Sequence, residues 1–513
     1  MDDVDAIVVG GGVNGLACAL VLARHGLSVR VVEDRPAIGG SFRPDHPFAH
    51  APGLAAHVGS HRLGLLPRDA LRLLGVKLPL RTRDPALFVP TMHAGRFLLA
   101  GPGNEGLRAA VSGPDARTLE AMHGELDAIA ADLAPAWLAA PMPVEDVADR
   151  YVRPALRGAF LALVTGSIGA YLDRFAVPSE LVRAAIAADA LVGTFGTWDT
   201  PGSGAALLVQ HVSRSPEGGG DAVPDGDPGA LVQAIAAAAE KAGATITAGR
   251  AVARLLVEGN SVAGVVLEDG SEIRSTTVVC NADPLRLRAM IGDAFLPPDY
   301  TRKIDGFVRG GSVTKLAVAF ASLPRFACLP EERGQHGATI HLLPGGDAPM
   351  AGLRAAFADA SAGRLPAAPP IEMIIAPAAS GPRAASLLVP CSPYDLEGTT
   401  WAAEEERWTK RILDVLEAFA PGASGLVVDA VVQPPKKLEA QLGITRGVLH
   451  HVDGSLVFGD RLPYVTPITG LYACGAGCAP AGSAFAVAGH NAAKRVLADL
   501  ELGLERTEAG QRS

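Results

Sequence analysis

Three glycines, at positions 10, 12 and 15, stand between an apolar run and a helical one, and they constrain this chain more than anything else in it. The run Ala6-Ile7-Val8-Val9 predicts a short, fully buried strand that meets a tight turn. Leu16 to His25 follows with helical periodicity and Gly26 as its stop; Val29 to Glu33 predicts a second strand. A strand, helix and strand within about thirty residues make a βαβ unit, with parallel strands and a right-handed crossover. In that setting Gly10 permits the sharp bend, Gly12 lets backbone N–H groups approach a pyrophosphate, and Gly15 packs the helix on the sheet. Val13 and Asn14 lie between these glycines at the entry to the helix, whose free N–H groups and positive dipole end face an anion. Glu33 lies 18 residues past Gly15 at the end of the second strand, with Asp34 next to it. A carboxylate there accepts hydrogen bonds from ribose hydroxyls and repels a 2′-phosphate, so the motif predicts a dinucleotide other than NADP.

Composition narrows the class. With 49% hydrophobic and 19% charged residues the 513-residue chain buries a large core, and its length favours two interleaved domains. A net charge of −9 argues against nucleic acid as a partner. The six cysteines are scattered; only Cys474 and Cys478 are close, and a CxxxC pair is neither a zinc half-site with a partner nor a dithiol redox motif, so no metal is expected. Reduced thiols, an acidic start (Met1-Asp2-Asp3) and no apolar window of about 18 residues point to a cytoplasmic protein. The longest apolar candidate, Ala159 to Leu172, is broken by Thr165, Gly166 and Ser167.

Further along, residues 109–190 are Ala/Leu-rich and helical, with breaks at Pro135, Pro141, Pro143, Pro154 and Pro178. Residues 218–229 have loop composition, and Ala230 to Ala242 predicts a helix. Strands are predicted at Arg254 to Val257, Val262 to Leu267 and, after the Asp269-Gly270 turn, Glu272 to Cys280. Others fall at Ser312 to Phe320 and Ala385 to Val389, an amphipathic helix at Trp401 to Phe419, and a strand, glycine-rich loop and helix over 470–500.

Several segments together resemble the phytoene-desaturase-like branch of the flavin amine oxidase superfamily, in particular its pyridine nucleotide-disulphide oxidoreductase domain 2 group. They are residues 5–16 around the fingerprint, Ile38-Gly39-Gly40, Pro201-Gly202-Ser203, Val278 to Pro284, Thr466 to Tyr472 and Cys474 to Gly477. The resemblance implies an α/β fold with an α+β substrate part: a Rossmann-type FAD-binding domain interleaved with a substrate domain, in p-hydroxybenzoate-hydroxylase-like architecture. The implied division is 1–80, 218–300 and 455–505 for FAD, 81–217 and 301–454 for substrate, and a tail at 506–513. It implies that Gly39, Gly40 and Ser41 pass close to the FAD and that Val252 lays its backbone on the adenine. Asn281-Ala282-Asp283 closes a strand near the cofactor. Gly475 to Val487, including Gly482, Ser483 and Ala484, is implied to run under the isoalloxazine ring. The family's usual Thr-His-Pro-Gly-Gly-Gly is replaced here by Cys478-Ala479-Pro480-Ala481-Gly482-Ser483, which alters the surface over the flavin. Gly311 to Lys315 looks like the amine oxidase stretch whose lysine sits near flavin N5; the alternative is a strand-edge lysine facing solvent.

No second glycine fingerprint and no CxxxxC pair accompany the first helix, which favours an organic substrate as the reductant of FAD and excludes a disulphide reductase. Candidate bases are His451, on a family-like histidine, and His211, each of which also fits as a core histidine. Phe195 and Trp198 could line an apolar pocket or serve as packing, and Glu404-Glu405-Glu406 is a solvated helix face. The expected activity is FAD-dependent dehydrogenation of a small apolar organic substrate, with oxygen or a quinone as acceptor. Peripheral membrane contact and oligomeric state stay open. The alternatives are a flavin-dependent amine oxidase and, in another class, a flavin-bearing interaction protein or redox-neutral isomerase.

Overall fold

The first strand, β1 (Ala6–Val9), is buried along its whole length at the centre of a five-stranded sheet. The structure, a computed structural model, describes residues 4–511 except 58, 61–67, 216–220, 225–228, 308–311, 378–380 and 483. The sheet runs Leu471–Ala473, Val278–Cys280, β1, β2 (Val29–Val32), Thr245–Thr247, and every pair in it is parallel. Ile7 is therefore flanked by Val278 on one side and Arg30 on the other. Helix α1 (Val13–Arg24) begins three residues earlier than its apolar periodicity predicts, directly after the glycine turn. Its residues from Val13 to Ala23 are all buried, because it packs between the sheet, the helix Gly229–Lys241 and the helix Val487–Gln511. A helix covered on all sides needs an apolar surface all round, and each fully buried Val or Leu contributes about 1.5–3 kcal/mol. Gly489 of the last helix fits against the backbone of Asn14 so closely that a Cβ there would overlap the Asn14 carbonyl.

The strand predicted over Glu272 to Cys280 is two strands in two sheets. Glu272–Arg274 pairs antiparallel with Ser261–Leu267, which pairs with Val252–Glu258; Val278–Cys280 enters the parallel sheet. The break falls at Ser275, whose hydroxyl shares its one proton between the Asp5 and Thr277 carbonyls and accepts the Thr277 N–H, so the side chain takes over a ladder bond.

The second large sheet has seven strands, in the order Val427–Gln433, Ser312–Phe320, Arg383–Ser392, Ile371–Ile375, Thr339–Leu342, Leu87–Pro90, Phe97–Ala100. Only Thr339–Leu342 and Leu87–Pro90 pair parallel. One face carries Leu316, Val318, Leu387, Met373 and Ile340 and is covered by the amphipathic helix Trp401–Phe419, whose bounds match the sequence expectation. Alternation sends the intervening residues to the opposite face. There, Gln433, Lys315, Leu388, Glu372 and His341 stand in register across five strands. A bundle of helices between Gly113 and Ser213 packs beside this face around its own apolar core. No described helix is long and apolar enough to cross a membrane.

Candidate active site

The turn after β1 bends at Gly10, whose φ of +102° lies in the region glycine tolerates and whose N–H bonds the Val32 carbonyl at 2.8 Å. The helix's own bonding starts with the Leu16 N–H on the Gly12 carbonyl at 3.0 Å, so the N–H groups of Val13, Asn14 and Gly15 come before the first helical bond. Asn281 fills the back of the turn, with Nδ2 only 3.0 Å from where a Gly12 Cβ would stand and 3.1 Å from that of Gly15. A side chain at Gly15 would also collide with the Gly10 carbonyl, and one at Gly40 would press on the Gly12 Cα at 3.3 Å. The cradle is thus built of bare backbone on both rims, which is what close approach to a diphosphate requires.

A cleft of about 380 Å³ opens over this turn. Gly10, Gly12, Val13 and Asn14 line its floor with Gly39 and Gly40 across from them; Glu33, Asp34 and Val252 line one end, and Ser41 lines the wall beside Ser60, whose hydroxyl bonds its own at 3.1 Å. Glu33 accepts the Gly11 N–H at 2.6 Å and the Arg35 N–H at 2.9 Å, and burial raises its carboxyl to about 7. The Arg250 N–H bonds the Glu33 carbonyl at 2.9 Å, which brings Ala251 and Val252 to the same end. His450, His451, Ala476, Gly482 and Phe485 line the other end. His451 sits in the left-handed region at φ +62°, and burial pushes its imidazole down to about 4, so it is neutral. Gly15, Gly475 and Ala484 lie behind the lining; Ser483 falls outside the described residues.

Two buried charged groups that motif reading does not single out tie these loops together. Asp283 caps the helix Pro284–Ile291 through the Leu285 and Arg286 N–H groups and also accepts the Thr445 N–H at 2.9 Å and its hydroxyl at 3.0 Å. Arg461 is fully buried and donates to the carbonyls of Cys478, Asp453, Leu456, His450 and Ala476. Asp283 and Asn281 belong to the quoted Asn-Ala-Asp segment, but nothing in the sequence marks Arg461 as buried.

Next to the cleft, on the side of the seven-stranded sheet, lies a mostly apolar cavity of about 440 Å³ lined by Leu191, Phe195, Trp198, Leu353, Phe357 and Tyr394, among others. A narrow space of about 80 Å³ lies between the two: it shares Ser60, His450 and Phe485 with the cleft, Val192 and Glu372 with the cavity, and Leu449 with both. Glu372 is thus a buried carboxylate at the neck. His341 stands beside it in register, its Nε2 3.8 Å from Glu372 and 3.5 Å from Asp189, which in turn is held by Gln210 at 2.6 Å and Arg214 at 3.4 Å. Ligand-capable atoms of Asp189, His341 and Glu372 lie within 4.8 Å of one another, and the Arg214 guanidinium balances part of their charge.

Lys315 is buried, 2% exposed, and not a solvent-facing edge residue; its Nζ bonds the Ser386 hydroxyl at 2.6 Å. Burial drives its ammonium down to about 7, opposed by the Glu372 charge. It lines neither cleft nor cavity: Leu388 separates it from Glu372 in the transverse row, one position behind the neck. His211 is elsewhere, held by Asp127 at 2.7 Å and by Asn104 among the helices, and is not on the cleft wall. Phe195 and Trp198 both line the cavity.

The family model for flavin containing amine oxidoreductases matches residues 14–342. A Rattus norvegicus protein described as pyridine nucleotide-disulfide oxidoreductase domain-containing protein 2 is 31% identical, over 97% of this chain and 94% of its own length. Hydroxyneurosporene desaturase of Cereibacter sphaeroides is 26% identical over 96% and 97%. Among solved structures, an oxidoreductase from Methanosarcina mazei shares the fold with a TM-score of 0.62 at 17% identity, covering 97% of this chain and all of its own.

Proposed function

The chain belongs to the flavin containing amine oxidoreductase family and is an FAD-dependent oxidoreductase, and on that premise we propose that it dehydrogenates an apolar organic substrate to an unsaturated product. The observation that carries this reading is the mostly apolar 440 Å³ cavity, which adjoins a narrow space that shares Ser60, Leu449, His450 and Phe485 with the cofactor cleft. In this reading the fingerprint amides would hold the diphosphate, Glu33 would accept from the ribose, and the wall with His451 and Gly482 would face the flavin. FAD supplies the two-electron acceptor, with oxygen or a quinone downstream.

The cavity offers an elongated molecule a mostly apolar wall to lie along. Dehydrogenation releases one hydrogen as hydride and a second as a proton. The groups in reach of that proton are the Glu372 carboxylate at the neck and the neutral His451 ring on the cleft wall. The relative named as a desaturase supports an apolar substrate; the family's own description keeps an amine as the second reading. Against the amine, the neck lining contains one aromatic hydrocarbon ring, Phe485, where a facing pair would favour it.

The test is anaerobic loss of flavin absorbance with a panel of polyenes, long-chain acyl compounds and amines. Bleaching by the apolar members supports the proposal. Bleaching by amines alone transfers the function to the second reading, and no bleaching by any member removes the dehydrogenase assignment.

A further inference from the structure

Among the buried polar groups, Arg461 stands out by how its charge is held. Its five N–H donors meet five acceptors, all of them backbone carbonyls: Nε to Cys478 at 3.0 Å, Nη1 to Asp453 at 3.1 Å and Leu456 at 2.9 Å, Nη2 to His450 at 3.0 Å and to Ala476. Among the described residues no carboxylate forms an ion pair with it. Asp453 is near enough to support its charge, but that carboxylate accepts from the Phe195 N–H and from Ser455. A guanidinium keeps its proton even there; burial lowers it only to about 10. Cys478 and His451 beside it add no opposing charge, since burial raises the Cys478 thiol to about 12 and lowers the His451 ring to about 4; Asp283 acts on that ring from another side with opposite sign, but its oxygens are taken up by the Leu285, Arg286 and Thr445 donors.

Its place is as telling as its charge. His450 and Ala476, whose carbonyls it holds, line the cleft, and so does Gly482. A Cβ on Gly482 would lie 2.7 Å from Nη2, so the guanidinium lies directly behind the bare backbone of that wall. This is the end of the cleft that meets the substrate neck, where the redox ring has to lie for electrons to pass.

We propose that Arg461 is a fixed positive charge built behind the flavin wall, which stabilises the negative charge the cofactor acquires on two-electron reduction and so raises its midpoint potential. The inference rests on the reading that the inner end of the cleft holds the ring. Arg461 acts through the wall and is a positioning and electrostatic residue, not one that touches substrate. A preoriented charge in a water-excluded site acts strongly because it needs no reorganisation as the electrons arrive.

The test uses FAD-loaded full chain and no substrate: the midpoint potential is measured by dye-coupled reduction across pH for the wild type, Arg461→Gln and Arg461→Lys, with free FAD alongside. One proton taken up with two electrons gives about 30 mV per pH unit, and two protons about 59 mV. In the wild type the change from the steep to the shallow slope should lie at least one pH unit below that of free FAD. Arg461→Gln should move it back toward free FAD and lower the midpoint at fixed pH by about 30 mV or more, a tenfold change in the oxidised-to-reduced ratio. Arg461→Lys should keep most of the wild-type potential. A wild-type slope change at or above that of free FAD overturns the proposal without any variant. So does a Gln variant with bound FAD and unchanged potential, or a Lys variant that falls as far as Gln, since the loop-tying fork rather than the charge would then be at work. Protein that takes up no FAD at all removes the cofactor reading itself.

Discussion

The same substitution at two helical glycines isolates what the nucleotide turn depends on. Gly124 lies exposed inside the helix Gly113–Leu133, with nothing within 4 Å of where its Cβ would stand. Alanine there should stabilise by about 0.4–1 kcal/mol, because the unfolded chain loses freedom and the folded one meets no obstacle. Gly15 sits in the first turn of α1, and its added methyl would fall far inside 3.0 Å of the Gly10 carbonyl oxygen and 3.1 Å from Asn281 Nδ2. Neither neighbour is the end of a flexible chain: one is the backbone of the turn, the other a side chain packed behind it. Relief needs a retreat of about 1 Å by α1 or by the turn, at an overpacking cost of about 1–3 kcal/mol. If that strain falls on the FAD-competent geometry, affinity drops roughly 5- to 150-fold. Quenching of FAD fluorescence on titration into apoprotein measures the affinity, and the thermal midpoint measures the packing. A Gly15→Ala protein that binds FAD as tightly as Gly124→Ala does would refute the close-approach argument.

Gly12→Glu should purify without flavin colour, because the carboxylate would project from the floor of the diphosphate site; a fully yellow variant would contradict that placement. Lys315→Met should retain FAD, since Lys315 is off the cleft wall, and should alter the pH dependence of stability. With the folded ammonium near 7 against 10.5 in its ordinary state, the unfolded chain binds the extra proton between those values. Stability should therefore rise with pH across that window, by up to about 1.4 kcal/mol per pH unit. Thermal unfolding from pH 7 to 10 should show that rise in the wild type and a flatter profile in Lys315→Met; matching slopes would refute the buried ammonium. Asp283→Ala removes a helix cap and the Thr445 contacts together and should cost about 2 kcal/mol or more. A thermal midpoint within error of wild type would show that the tie between the two loops carries no weight.

The nucleotide half was legible because its signal is local: strand, glycine turn, helix and acidic residue fall within thirty residues, and each device depends on its neighbours in sequence. Reading failed where a side chain intervenes in the backbone, as at Ser275, since the apolar pattern of Glu272 to Cys280 does not show that two sheets share it. It also missed what pairing alone brings together. His341 and Glu372 lie in no motif, yet adjacent strands place them in one row with Lys315, and only the register shows that Leu388 stands between that lysine and the neck. His211 resembles a candidate base in sequence, but its ring is bound by Asp127, a partner 84 residues away. Of the C-terminal loop that the family resemblance implies, Gly482 lines the cleft, while the burial of Arg461 follows from five backbone carbonyls that converge only in the folded chain.

The five-stranded sheet draws its strands from residues 6–32, 245–247, 278–280 and 471–473, and the last helix closes on α1 through Gly489. In synthesis the glycine turn therefore precedes by a long stretch the strand and helix that complete its surroundings. Hundreds of residues must wait between the two, and α1 has one apolar flank uncovered until the final helix arrives. Such long separations slow assembly and leave greasy surface open to misassociation. A chain that lacks the strand Leu471–Ala473 has an open edge beside Val278–Cys280, so the finished nucleotide cleft depends on segments separated by more than four hundred residues.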